Sequence, residues 1–211
     1  MIRKFYFLFL SLILLSAANN ASMAQAIQHP TSPDEIEEAI NTPSIKDKDR
    51  KGKHDIANYQ VNIARGLYER LKVDVDMTRD DEVILVTIPA DMLFGPNSTS
   101  LLVSSNRNPV LSHFAGFLKA PDLYRMVLVM HHETGSQQYC KTMSDRRLQS
   151  VLDWFTMHSS GTKFITAYSM GNSLPILPNN SMQNRRQNRR LEIYLVPGNV
   201  MIENAKKGKM K

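Results

Sequence analysis

The sequence predicts an α/β sandwich, an α+β arrangement in which a mixed sheet is covered by helices on one face. Three stretches predict it. Met126–Met130 (MVLVM) is an unbroken apolar run of strand length, suited to a buried strand. Beyond a glycine-bearing loop, Leu148, Val151, Leu152 and Phe155 recur at i, i+3, i+4, i+7, the spacing of a core-facing helical stripe. Two later apolar runs, Phe164–Tyr168 and Leu191–Val196, supply further strands. No internal repeat is visible.

The first 26 residues read as a signal peptide. Arg3 and Lys4 form a basic n-region, Phe5 to Ala17 an apolar h-region, and Ala24-Gln25-Ala26 a cleavage site, so the mature chain is expected to begin at Ile27. The apolar run is short for a spanning helix, and no Cys follows it to carry a lipid. Residues 27–53 are polar, with Pro30, Pro33 and Pro43 and the run KDKDRKGK, the composition of a linker. Within them Ser32-Pro33-Asp34-Glu35 has the shape of a capping box opening a short helix from Pro33 to Ile40.

Residues 54–82 form an N-terminal extension of one helix and one strand. Ile56, Tyr59, Ile63, Leu67 and Leu71 mark one helical face. Val73, Val75 and Met77 then alternate with charged residues as in a half-buried strand. Arg79-Asp80-Asp81 turns the chain into a second strand, Val83–Ile88, making a hairpin. Asn108-Pro109 starts another helix, buried through Val110, Leu111, Phe114, Phe117 and Leu118 and stopped at Pro121. Ser144 is placed to cap the central helix, with Asp145 in its first turn. A loop rich in Asn and Pro leads to the last strand, and residues 198–211 form a solvated basic tail with Lys206, Lys207, Lys209 and Lys211.

Composition narrows the function classes. The formal net charge is +6, which suits an acidic lipid or cell-wall surface. The RRQNRR run at Arg185–Arg190 lacks the aromatic-rich basic face of a nucleic-acid binder, so no nucleic acid is expected. Cys140 is the single cysteine; it is expected to be a buried, inert thiol. A strand feeding a loop into a helix N-terminus makes an anion-binding corner. Arg147, one turn inside the predicted helix and just off its apolar face, reaches over that corner with a fork suited to a carboxylate. A surface ion pair with Asp145 or Glu133 is its alternative role.

His131, His132 and Glu133 are neighbours and do not converge on one ion, so no metal is expected. Cys140 and His132 lack the orienting third group of a nucleophile–base pair. No cofactor motif is present. The chain reads as a binding module rather than an enzyme.

Several motifs resemble those of the OmpA-like, peptidoglycan-associated domains, in which a strand ends in G-H-T-D-x-x-G and is followed by Y-N-x-x-L-S-x-x-R-A-x-x-V. Gly135-Ser136, Tyr139, Met143-Ser144, Arg147 and Val151 match without a gap. Met170-Gly171 with Pro175 resembles the G-x-G-E-x-x-P turn. Asn179, Arg185 and Asn188–Ile193 resemble the closing N-x-x-x-x-x-R-x-x-N-R-R-V-E-I, and Leu93-Phe94 resembles the L-F that ends the first core strand. The resemblance implies a βαβαβ core over residues 83–197, held by an exported protein of a Gram-negative envelope with no room for a membrane barrel before Val83. It implies a periplasmic location, associated with the outer membrane or cell wall.

The resemblance also implies non-covalent binding of peptidoglycan through a diaminopimelate-type stem peptide. Arg147 matches the arginine that takes the ligand carboxylate. The aspartate that takes the ammonium is replaced by His132, with His131 before it and Glu133 after it. The ligand-contacting asparagine is Cys140, and the position after L-F that is often acidic is Gly95. Glu133 takes over the ammonium, or the ligand lacks one, or binding is lost and the domain docks other envelope proteins. Adjacent residues entering a strand face opposite ways, which assigns Arg189 to the ligand side and Arg190 to a carboxylate elsewhere.

Overall fold

The computed structural model describes residues 26–102, 108–119 and 122–210. The signal-peptide assignment rests on residues 1–25 and the helix stop on Pro121, and both lie outside them. Five strands form one sheet in the order β1-β2-β5-β3-β4. They are β1 (Asp74–Thr78), β2 (Val83–Pro89), β3 (Tyr124–His131), β4 (Ile165–Gly171) and β5 (Arg190–Pro197). The β3–β4 pair is parallel and the other pairs are antiparallel, so the sheet is mixed. The β1–β2 hairpin turns through Arg79, Asp80 and Asp81, all with positive φ.

Strand alternation sorts the side chains between two cores. Ile84, Val86 and Ile88 of β2, Met126, Leu128 and Met130 of β3, and Leu191, Ile193 and Leu195 of β5 face the larger one. There they meet α2 (Arg50–Leu71), the short α3 (Ser112–Ala115), α4 (Gln137–His158) and α6 (Asn199–Lys206). Val83, Val127, Val129, Tyr168 and Val196 face a smaller second core.

The second core corrects the expectation of helices on one face only. The stretch expected as a linker is docked on the sheet: α1 (Asp34–Asn41) buries Ile36 against Val127 and Val129, and Ile45 joins the main core. Gln28 extends the β4 edge, donating to the Ala167 carbonyl at 2.8 Å and accepting from Ser169 N at 3.0 Å. Arg79 fixes the end of α1 through its Nη1, which donates to the carbonyls of Ile40 and Pro43. The polar composition hid this, because isolated isoleucines do the packing. The box at Ser32 also differs: Glu35 accepts from the backbone and hydroxyl of Thr31, each at 2.8 Å.

Three other boundaries move. The basic tail begins as α6, which buries Met201, Ile202 and Ala205 against α2. The helix expected from Asn108 is one turn followed by a 3-10 turn at Phe117–Lys119, although Asn108 Oδ1 does accept from Val110 N and Leu111 N. The central helix α4 starts at Ser136, whose hydroxyl accepts from Tyr139 N, two turns before Ser144. Cys140, Met143, Ser144 and Arg147 continue its buried face. Two of the four are polar, so the apolar stripe looked shorter than the helix is.

Candidate functional site

The C-terminal end of β3 separates the histidines. His131 falls on the second face, beside Glu192, with Nε2 to Oε2 at 3.5 Å. His132 continues the row of Met126, Leu128 and Met130 and points to the α4 side. There a cleft of about 400 Å³ is lined by Asp91, Phe94, His132, Glu133, Arg147 and Arg189, among others.

Arg147 forms its base. It lies about three turns into α4 and only 4% exposed, so it is not the residue one turn inside the helix that the sequence suggested. It therefore draws nothing from the helix N-terminus, and pairs with neither Asp145 nor Glu133. Instead its guanidinium stands over the Phe94 ring, 5.2 Å from the centroid, a cation–π contact. Its Nε donates to the Ser98 carbonyl at 3.0 Å, and its Nη1 has no partner among the described residues. Burial and then the like charge of Arg189 hold its pKa below the usual arginine value.

The loop from Gly95 to Leu102 delivers that carbonyl. Leu102 N donates back to Leu93 O at 2.8 Å, and Ser150 of α4 donates to Thr99 O at 2.7 Å. The loop is thus pinned to α4 at two points beside the cleft. No sequence signal points to this loop, since the contacts are made by backbone carbonyls.

Glu133 is already engaged. Arg189 Nη1 bonds Oε1 and Arg185 Nε stands 3.4 Å from Oε2. Asp91, at the cleft rim, pairs with Arg186. Among the described residues four guanidiniums (Arg147, Arg185, Arg186, Arg189) face two carboxylates, a formal excess of two positive charges. Arg185 and Arg186 come from α5 (Met182–Asn188), capped by Ser181; its sequence MQNRRQN has no apolar stripe, so periodicity could not reveal it. Arg190 turns to the other face and pairs with Glu192 at 2.8 Å.

His132 is 6% exposed. Its backbone N–H donates to Gly171 O at 2.6 Å, and its ring meets Tyr139 edge-on at 5.6 Å. Burial, then the nearby Arg147 charge, pushes its pKa down to about 4. Cys140 is fully buried, with burial raising its thiol pKa. It packs under the Gly135 turn, where a Cβ on Gly135 would lie 3.2 Å from its Sγ. Cys140 does not line the cleft, which removes it from the ligand contacts expected by motif matching; His132, Glu133, Arg147 and Arg189 remain together.

Gly171 sets the height of His132. Its φ is +55°, and a Cβ there would sit 3.2 Å from Lys141 N in α4. Gly171→Ala is therefore expected to cost about 1–2 kcal/mol from the left-handed backbone alone, plus the contact with α4. A urea melt measures it; a loss under about 0.5 kcal/mol would mean that the turn relaxes freely.

No family model and no curated protein matches the chain. Among solved structures, a MotB-like protein from Desulfovibrio vulgaris superposes with a TM-score of 0.56 at 19% identity, over 69% of this chain and 98% of that one. The cell wall anchor of the T6SS from Pseudomonas aeruginosa gives 0.50 at 24%, over 67% and 96%. A periplasmic domain of MotB (residues 64–256) gives 0.50 at 16%, over 88% and 95%. The chain shares the fold of these domains, an α+β mixed open sheet with helices, the architecture expected from the OmpA-like motifs.

Proposed function

We propose that this protein is an exported envelope component that binds peptidoglycan non-covalently through the Arg147 cleft. It would work in the periplasm, in association with the outer membrane or cell wall, as a binding module without catalytic activity. The observation that carries the reading is the buried Arg147 guanidinium, held at the base of a cleft with its Nη1 unpartnered. A buried cation with a free donor calls for an anion. The stem-peptide carboxylate of a diaminopimelate residue supplies one, and the fold shared with a cell wall anchor supports the assignment.

Specificity follows from the rest of the cleft. Glu133 is neutralised by Arg189 and Arg185, and His132 is uncharged near neutrality, so no free anion awaits the ammonium of diaminopimelate. The ligand is read through its carboxylate. Sedimentation with purified sacculi tests the function: the protein is expected in the pellet at low salt and increasingly in the supernatant as salt screens the cleft. Amidating the carboxylate of a soluble stem peptide should weaken binding about tenfold or more, while acetylating the amino group should change it little. A protein that stays in the supernatant at low salt would instead favour docking of another envelope protein.

A further inference from the structure

The second face of the sheet holds a separate chamber of about 540 Å³, roofed by α1 and floored by β2, β3 and β5. Its size falls in the range of small-molecule pockets. Ile36 and Ile40 line it from the helix, and Leu85 and Val129 from the sheet. His131, Arg190 and Glu192 stand together where β3 ends and β5 begins, and Glu37, Asn41, Thr78 and Arg79 also line the space.

Most of that polar group is internally satisfied. Arg190 Nε donates to Glu192 Oε1 at 2.8 Å, and Tyr194 OH donates to Oε2 at 2.9 Å. Burial alone would raise the Glu192 pKa, and its polar neighbours lower it. His131 is different. It is 2% exposed, and neither ring nitrogen makes a hydrogen bond among the described residues; the 3.5 Å approach to Glu192 is too long for one. Burial lowers its pKa, so the ring is neutral and offers one donor and one acceptor.

A buried imidazole without a hydrogen bond costs stability, and it lines an open volume that Ile36, Ile40, Leu85 and Val129 also line. A head group that both donates and accepts, on an alkyl body, matches both features. We propose that this chamber binds a small alkyl amphiphile through its hydroxyl-type head at His131, with the chain laid between α1 and the sheet. The site is on the opposite face from the Arg147 cleft and does not depend on it.

Octan-1-ol is a suitable probe for the mature protein, followed by methyl NMR. Saturable shifts are expected at Ile36, Ile40, Leu85 and Val129, with none at Leu148 or Val151 in the main core. His131→Leu removes the polar partner while keeping the wall apolar, and should weaken octanol binding roughly fivefold, the value of one hydrogen bond. It should leave binding of head-less octane unchanged. Ile40→Trp fills the chamber from its roof and should abolish the shifts for both probes, with the wild-type spectrum elsewhere showing that the fold is kept. Shifts that do not saturate, that survive Ile40→Trp, or that are insensitive to His131→Leu would overturn the proposal.

Discussion

Replacing Arg147 by methionine is expected to cost ligand affinity tenfold or more while leaving the melting temperature unchanged or raised. The guanidinium gives two things to the fold, a hydrogen bond to Ser98 O and a stack on Phe94. Against these stand the burial of its charge and the repulsion of Arg189, which together lower its pKa. Buried charges replaced by apolar groups of similar length often leave stability the same or higher, and methionine keeps the stem on Phe94. The ligand loses a charge-assisted pair of about 1.5–3 kcal/mol. Arg147→Ala is a poorer probe, because it also opens a cavity under Phe94 and should cost about 2 kcal/mol of stability. Calorimetry with a soluble stem peptide, beside a thermal melt, reads both quantities. A methionine variant that binds normally but melts early would make Arg147 a structural residue.

The expectation that Arg147 lies off the buried face failed for an instructive reason. Periodicity finds a helix by its apolar residues, and α4 carries Ser144 and Arg147 inside its buried face where it borders the cleft. Where a site interrupts a core, the pattern stops early, and the predicted cap moved from Ser136 to Ser144. Strands were more legible, since the residues that alternate in β1 and most of those in β2 to β5 are apolar. The split of Arg189 from Arg190 followed from strand alternation alone. Contacts made by backbone atoms were invisible, which is why the loop at Ser98 was missed. Helix α5 was missed because all but Met182 of its residues are polar, whereas the short helix expected from Pro33 to Ile40 is present as α1 and only its docking on the sheet through Ile36 went unforeseen. Asn188 shows the motif's structural side: its Oδ1 accepts from Ile176 N and Leu177 N, and its Nδ2 donates to Leu177 O. That anchors the loop leading to α5.

His132 should make the fold sensitive to acid while leaving ligand binding flat through the neutral range. Its pKa falls from 6.5 to about 4 in the folded chain. The first cause is burial, then Arg147; Glu133 opposes them, and Arg189 adds to them. The unfolded chain therefore binds the proton more readily than the folded one. The stability this group supports is complete above about pH 6.5 and is lost as the pH falls toward 4. A shift of that size corresponds to about 3 kcal/mol. His132→Gln removes the titration, so urea melts of wild type and variant should run parallel above about pH 7 and diverge below it, by up to one proton in slope. Equal slopes would show that the ring is protonated in the fold without cost. Affinity for a carboxylate ligand should meanwhile stay constant from about pH 8 to about pH 5.5, because the ring is neutral throughout and contributes no charge to the cleft. A rise in affinity beginning near pH 6.5 would mean that His132 titrates as a solvent-exposed imidazole and joins Arg147 in holding the anion.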